Sequence, residues 1–216
     1  MRMQALTTGA IAVESNGQSY TYDYGLTHKE DVPSSWATDQ GADIINDIRL
    51  AKEQIEDESG ETLTRAICRS QTWRYIRENE KIKKDLFVMS DGTLGALSDT
   101  KLRSYLSEEL QLNVQTYDKR YTSVDGDGSK KTVPFTPEDT FIMMPDGAMG
   151  TGYFGTTPEQ SDLMTSAVAN VSIVDEGVAV TTTEETDPVN VDTKVTQIYL
   201  PSFEQADKVF IYDVNP

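Results

Sequence analysis

One cysteine, Cys68, and one histidine, His28, are all that 216 residues hold of the side chains most used in nucleophilic and metal chemistry. A lone cysteine rules out an intrachain disulfide and gives no support for an oxidising compartment. One residue of each kind also leaves zinc without a ligand set. Any Ser-His-Asp or Cys-His arrangement would have to use His28. That residue lies in a polar stretch beside Lys29, Glu30 and Asp31, with no nucleophile signature near it, and reads as a solvated loop histidine. Long apolar runs are missing as well. Nothing approaches the roughly 18 residues of a membrane span, and the amino terminus has no signal-peptide core. The expectation is a soluble protein made in a cytoplasm, with no membrane contact and no cofactor.

Positive charge is scarce in the carboxyl half. The net charge is −17. Residues 1–120 carry 15 Lys and Arg against 20 Asp and Glu, whereas residues 121–216 carry 4 against 16. Nucleic-acid binding by counterion release needs a basic footprint, so this half should repel nucleic acid. With 37% hydrophobic and 25% charged residues the chain can still bury a core. Its length allows one large domain or two small ones.

The most strongly patterned stretch is 43–59. Ile44, Ile48, Ala51 and Ile55 recur at helical spacing, Ile45 widens the stripe, and the whole predicts one amphipathic helix about 25 Å long. Asp39 or Asp43 can cap its start, and Gly60 supplies the stop. Ahead of it, residues 1–26 read as strand and turn. Residues 10–14 and 19–24 form a hairpin around Ser15, Asn16 and Gly17, with Tyr20, Tyr22 and Tyr24 on one face. That face either closes over the chain's own core or docks on another subunit. Residues 27–35 read as a polar loop, and Trp36 leads into the helix.

Beyond Gly60, residues 64–68 read as a short strand and Ser70 as the cap of a helix running to about Lys84, with Trp73, Ile76 and Ile82 inward. Asp91, Gly92 and Gly95 break the chain, and Ser98 caps a helix with Leu102, Tyr105, Leu106 and Leu110 on one side. Residues 113–118 and 132–135 flank a hairpin signal at 124–129. Residues 140–144 form an apolar strand, 147–162 a glycine-rich loop, and 168–174, 178–183, 189–200 and 208–214 are β-rich. Val191, Val195 and Tyr199 share a face. A helix near the start, a mixed middle and long strands at the end predict an α+β fold.

Few constellations carry chemistry. Gly150, Gly152 and Gly155 match the dinucleotide-binding glycine spacing, but no helix begins inside the motif and Pro158 interrupts the residues after it. Asp125, Gly126, Asp127, Gly128 and Ser129 open like a calcium loop, yet Lys130 and Thr136 stand where that loop wants Gly and Glu, so a turn is expected. The acid pairs Asp175-Glu176 and Glu184-Glu185 point to opposite faces of a strand and read as solvated. Nothing reads as an active site. The competing interpretation is a cytosolic small-ligand-binding protein or enzyme that uses the 147–155 loop over an anionic ligand.

Several ordered stretches together resemble a known family. They are Ala5-Leu6-Thr7-Thr8-Gly9 with Tyr22-Asp23-Tyr24-Gly25, then Ala42-Asp43-Ile44-Ile45-Asn46-Asp47-Ile48, then Thr64-Arg65-Ala66-Ile67-Cys68-Arg69-Ser70-Gln71-Thr72-Trp73. Further along the chain come Val114-Gln115-Thr116-Tyr117-Asp118, Gly155-Thr156-Thr157-Pro158-Glu159, Asp187-Pro188-Val189, Leu200-Pro201-Ser202-Phe203 and Ala206-Asp207-Lys208-Val209. The chain resembles the major capsid proteins of tailed phages and prophages with the Hong Kong 97-type fold, in particular the capsid protein E group. The resemblance implies residues 1–35 as extended-loop remnant and connector, 36–63 and 178–216 as a peripheral domain with a spine helix and a long antiparallel sheet, and 64–177 as a mixed axial domain. It implies a structural subunit without catalysis that joins copies of itself as pentamers and hexamers in an icosahedral shell. Scaffold or protease, portal and decoration proteins would be further partners, and DNA would be enclosed without sequence-specific binding. The place of action would be the virion capsid, after synthesis in the bacterial host cytoplasm. Relatives normally carry an arm before the position matching Met1, so a truncated or processed form is expected. The lysine–asparagine crosslink of some relatives has no local motif here and is not carried over.

Overall fold

The computed structural model describes residues 1–216 except 16–17, 88–96, 125–127, 166–169, 176 and 188. Two compact units divide the chain: Met1–Met149 with Gln205–Pro216, and Gly150–Glu204 inserted between them. Residues 36–63 share a hydrophobic core with β4 (Arg65–Cys68), β8 (Thr140–Met144) and α5 (Asp99–Leu110), whereas most of 178–216 falls in the inserted unit.

Helix α2 (Ile44–Ser59) follows the sequence closely. The Asp43 carboxylate accepts from the Asn46 N–H at 3.3 Å, and Gly60 ends the helix at φ 71°. A hydrogen bond from the Lys81 ammonium holds the Asp43 carboxyl below its ordinary range. Ile44, Ile48, Ala51 and Ile55 are all buried, and each isoleucine so buried contributes about 1.5–3 kcal/mol.

The stripe packs in one core with a five-stranded mixed sheet. Its order is β3 (His28–Asp31), β14 (Phe210–Asp213), β8 (Thr140–Met144), β4 (Arg65–Cys68) and β5 (Asn113–Thr116). β14 runs parallel to β3 and antiparallel to β8, and β4 runs antiparallel to β8 and parallel to β5. β8 is buried along its whole length, as a central strand covered on both faces must be. Alternation assigns Ala66, Cys68, Phe141, Met143, Phe210 and Tyr212 to the face shared with α2.

Three details tie the helix to the sheet. The Trp36 indole N–H donates to the Asp47 carboxylate at 2.9 Å, the Tyr212 hydroxyl donates to the Asp47 carbonyl at 3.1 Å, and the Trp36 ring meets Phe141 edge-on at 5.4 Å. Burial pushes the Asp47 carboxyl up, against the Trp36 bond, and pushes the Tyr212 hydroxyl up to about 12.

Four features depart from the sequence reading. Residues 1–9 are not extended: Arg2–Thr8 forms helix α1, ended by Gly9, before the hairpin of β1 (Ala10–Ser15) and β2 (Gln18–Asp23). The 27–35 stretch contains β3, because a parallel partner in β14 overrides its polar sequence. The helix from Ser70 breaks into α3 (Ser70–Glu78) and α4 (Glu80–Leu86) at Asn79. The Asn79 side chain accepts from the Ile82 N–H at 3.1 Å and donates to the Ala42 carbonyl at 2.9 Å, competing with helix continuation. Finally, β5 pairs with β4, and the hairpin partner of β7 (Lys130–Pro134) is β6 (Arg120–Val124). The expected breaks at Asp91, Gly92 and Gly95, the turn at Asn16 and Gly17, and the turn at 125–127 lie outside the described residues. Helix α5 (Asp99–Leu110) starts at Ser98, whose hydroxyl accepts from the Lys101 N–H, and buries Leu102, Leu106 and Leu110.

The inserted unit is a meander of β10 (Asn170–Asp175), β11 (Val178–Thr186) and β12 (Val189–Gln197), with a separate pair of β9 (Gly152–Phe154) and β13 (Tyr199–Pro201). A π-helical turn, Glu159–Leu163, brings Glu159 to β12, where it accepts from Lys194 at 2.9 Å and from the Thr196 hydroxyl at 2.8 Å. The Lys194 bond, with a backbone N–H and Thr196, lowers the Glu159 carboxyl to about 2. A depressed carboxyl stabilises the fold above its ordinary value of 4.5, and that stabilisation fades as pH falls from there toward 2. The near-ultraviolet signal of the Phe154–Tyr199 ring pair should therefore weaken over that interval, and Glu159→Gln should flatten the dependence. A parent signal that stays constant between pH 4.5 and 2 would contradict this account of Glu159.

Candidate assembly surface

The side chains with catalytic potential are occupied structurally. His28 is not solvated: only 7% of it is exposed, its ring stacks on Phe210 at 5.9 Å, and Nε2 lies 3.4 Å from Glu58. Its place on β3 beside β14 is what buries it. Cys68 is fully buried on β4, and burial pushes its thiol up to about 12, far from a reactive thiolate. Among the described residues no three His, Cys, Asp or Glu side chains gather as a metal site requires. No helix among them is long and apolar enough to cross a membrane.

A cleft of about 480 Å³ opens at the start of α2, between Arg49, Lys81, Lys84, Asp85, Tyr105 and Glu109. Much of its charge is neutralised in place. Lys81 meets Asp43 at 3.0 Å, Lys84 meets Glu80 at 3.1 Å, and the Tyr105 hydroxyl donates to Asp85 at 3.1 Å. Burial pushes that hydroxyl up to about 12, so it donates and does not act as a base. The cleft presents paired charges without a convergent nucleophile or acid.

The glycine motif serves the chain's own packing. A Cβ on Gly150 would lie 2.3 Å from the Ser202 carbonyl oxygen, and one on Gly155 would lie 2.8 Å from Ile198 Cγ2. Gly152 begins β9, which pairs with β13. The glycines thus admit the 198–202 backbone, and the motif opens strand β9 where a dinucleotide fold would begin an α-helix. Gly150→Ala should lower the melting temperature of the inserted unit. Calorimetric titration of the parent with NAD or ATP should show no saturable heat in the micromolar range. Saturable binding lost in Gly152→Val would overturn this reading.

What the molecule does present is apolar surface on extended strands. Tyr22 pairs with Ile11 and Tyr20 with Val13, so all four share one face of the β1–β2 hairpin. Ile11 is fully buried, while Tyr20 and Tyr22 remain 51% and 47% exposed and Tyr24 is half-buried. A second surface lies on β12, where the sequence places Val191 and Val195 on one face but does not show that the face is exposed. Val189, Val191 and Val195 alternate along β12 at 86%, 57% and 64% exposure. Their signal was the period-2 run of β-branched residues in an acidic stretch too thin to cover it. Of the acid pairs, Glu184 and Glu185 are exposed on β11, as expected, and Glu176 lies outside the described residues.

Surfaces of this kind are chemically suited to association. A family model described as phage major capsid protein E matches residues 1–214. A prophage protein of E. coli CFT073, described as a capsid protein, has a similar crystal structure: TM-score 0.67 at 20% identity, over 98% of this chain and 60% of that one. A phage-related protein of Bordetella bronchiseptica RB50 is similar at TM-score 0.49 and 12% identity, over 87% of this chain and 56% of that one. The chain thus spans about 60% of the length of the E. coli relative. No functionally curated protein matches it. With the match running from the first helix through the last strand of an α+β fold, the chain belongs to the phage major capsid protein E family.

Proposed function

We propose that this chain is a shell-building part of a phage or prophage head, of the Hong Kong 97 type, and that it acts by self-assembly around the genome and not by catalysis. The observation that carries the reading is the apolar face left exposed on the hairpin at Tyr20 and Tyr22 within a family of major capsid proteins. An isolated two-stranded sheet is marginal in water and needs another surface to lie on. In this reading residues 1–26 reach over an adjacent copy, the body built on the five-stranded sheet takes the axial part, and the 178–204 strands take a peripheral part. Helix α2 belongs with the body, since it shares that body's core. Pentamers and hexamers of such subunits would enclose DNA without reading its sequence, with scaffold, protease, portal or decoration proteins as further partners in the virion.

Replacing Tyr20, Tyr22 and Tyr24 together with Ser tests the role of the hairpin. The isolated chain should keep its melting temperature to within a few degrees, and electron microscopy should show closed particles lost. Unfolding of the isolated variant would place the tyrosines in the chain's own core and remove the hairpin from the interface.

A further inference from the structure

Two hairpins of opposite charge stand exposed on this chain. The first is β11–β12. Along β12, an edge strand of the meander, the exposed Val189, Val191 and Val195 form an apolar row. Glu184 sits opposite Val191, and Glu185, Asp187 and Asp192 surround the same end. All four carboxylates are exposed, and none forms an ion pair with a described residue. An exposed, apolar edge of this length is a template for association unless something covers it.

The second hairpin is β6–β7. Lys119, Arg120, Lys130 and Lys131 are exposed on it, and none forms an ion pair with a described residue. Arg65, Arg69, Arg77, Lys81, Lys84, Lys194 and Lys208 are each held by a carboxylate of the same chain, and the other exposed cations without an ion pair to a described residue, such as Lys29, Arg49, Arg74 and Lys101, are spread over β3, α2, α3 and α5 and not gathered on one hairpin. Tyr121, 44% exposed, packs on Phe135 at 4.9 Å and gives the basic hairpin an apolar side. The connecting turn holds Asp125 and Asp127 and lies outside the described residues.

We propose that the acidic, valine-bearing β11–β12 hairpin of one copy docks on the basic β6–β7 hairpin of a second copy. Charge selects the occupant. Copies carrying −17 each repel one another, so they approach best where the sign is locally reversed. On the valine-bearing face Glu184, with Asp187 at the turn, meets Lys119 and Lys131 on the Tyr121 face of the basic hairpin, the valine row covers Tyr121, and the charges on the opposite faces, Glu185 and Asp192 against Arg120 and Lys130, steer the approach. The two patches differ, so the contact is head-to-tail and every copy keeps one of each free for the next, as rings and shells require. The inference rests on the shell-subunit reading and names the surfaces that meet in it.

Two variants test it, one changing Lys119, Arg120, Lys130 and Lys131 to Ser, the other changing Glu184, Glu185, Asp187 and Asp192 to the matching amides. Sedimentation should show the parent associating at low salt, about tenfold more weakly at high salt. Each variant alone should remain a monomer. An equimolar mixture has one compatible pair of surfaces left between the intact acidic and intact basic hairpins, so it should form dimers and nothing larger. Circular dichroism checks that both variants are folded. Charge-reversed versions, Glu on the basic hairpin and Lys on the acidic one, serve as a second pair: each alone should remain a monomer, whereas their mixture regains opposite charges at both contacts and should associate beyond the dimer. A parent that stays monomeric to about 1 mM, either variant associating like the parent, or a mixture that fails to pair would each overturn the proposal. So would a basic-hairpin variant that loses affinity for double-stranded DNA while self-association is unchanged, since the hairpin would then be a nucleic-acid contact. Shells that still form from these variants would remove this interface and leave the shell-subunit reading standing.

Discussion

The fold depends on one constraint, the burial of the α2 stripe in a single core with a sheet whose central strand is covered on both sides. Ile44, Ile48, Ala51 and Ile55 supply the apolar contact, and Asp47 fixes its register. A buried carboxylate is costly unless hydrogen-bonded. Here the Trp36 indole offsets part of that cost, while Tyr212 grips the Asp47 carbonyl one strand away. Residues 36, 47 and 212 are thereby locked together, which draws the carboxyl end of the chain into the sheet as β14, between β3 and β8.

Once the core is closed in this way, much extended chain remains outside it. The β1–β2 and β6–β7 hairpins, the β9–β13 pair and the β10–β12 meander form separate small sheets. Small sheets with exposed apolar residues gain stability chiefly by acquiring neighbours. Ordered burial in the body and unfinished burial on the strands fit the proposed shell subunit. In the proposed assembly the acidity of the inserted unit would keep unassembled copies apart until a surface of opposite sign is offered.

The sequence carried the elements whose signals are local. Helix α2, its Asp43 cap and Gly60 stop, the Ser98 cap of α5, the apolar β8 and the β1–β2 hairpin could be read from spacing alone. What could not be read depends on distant partners. β3 is a strand only because β14 lies beside it, and for the same reason His28 is buried under Phe210 and not solvated. Asn79 breaks a helix because its side chain finds Ala42, thirty-seven positions away. The valine row on β12 was visible as a pattern, but whether such a row faces a core or solvent is decided by how much chain remains to cover it.

Hydrogen–deuterium exchange on the isolated chain and on assembled particles tests the account most directly. Amides of α2, β4, β8 and β14 should exchange slowly in both states, because the chain's own core protects them. Amides of β1, β2, β6, β7 and β12 should exchange quickly in the isolated chain and slow markedly on assembly. Strands equally protected in the isolated chain and in particles would contradict the claim that these surfaces exist to be covered by other copies.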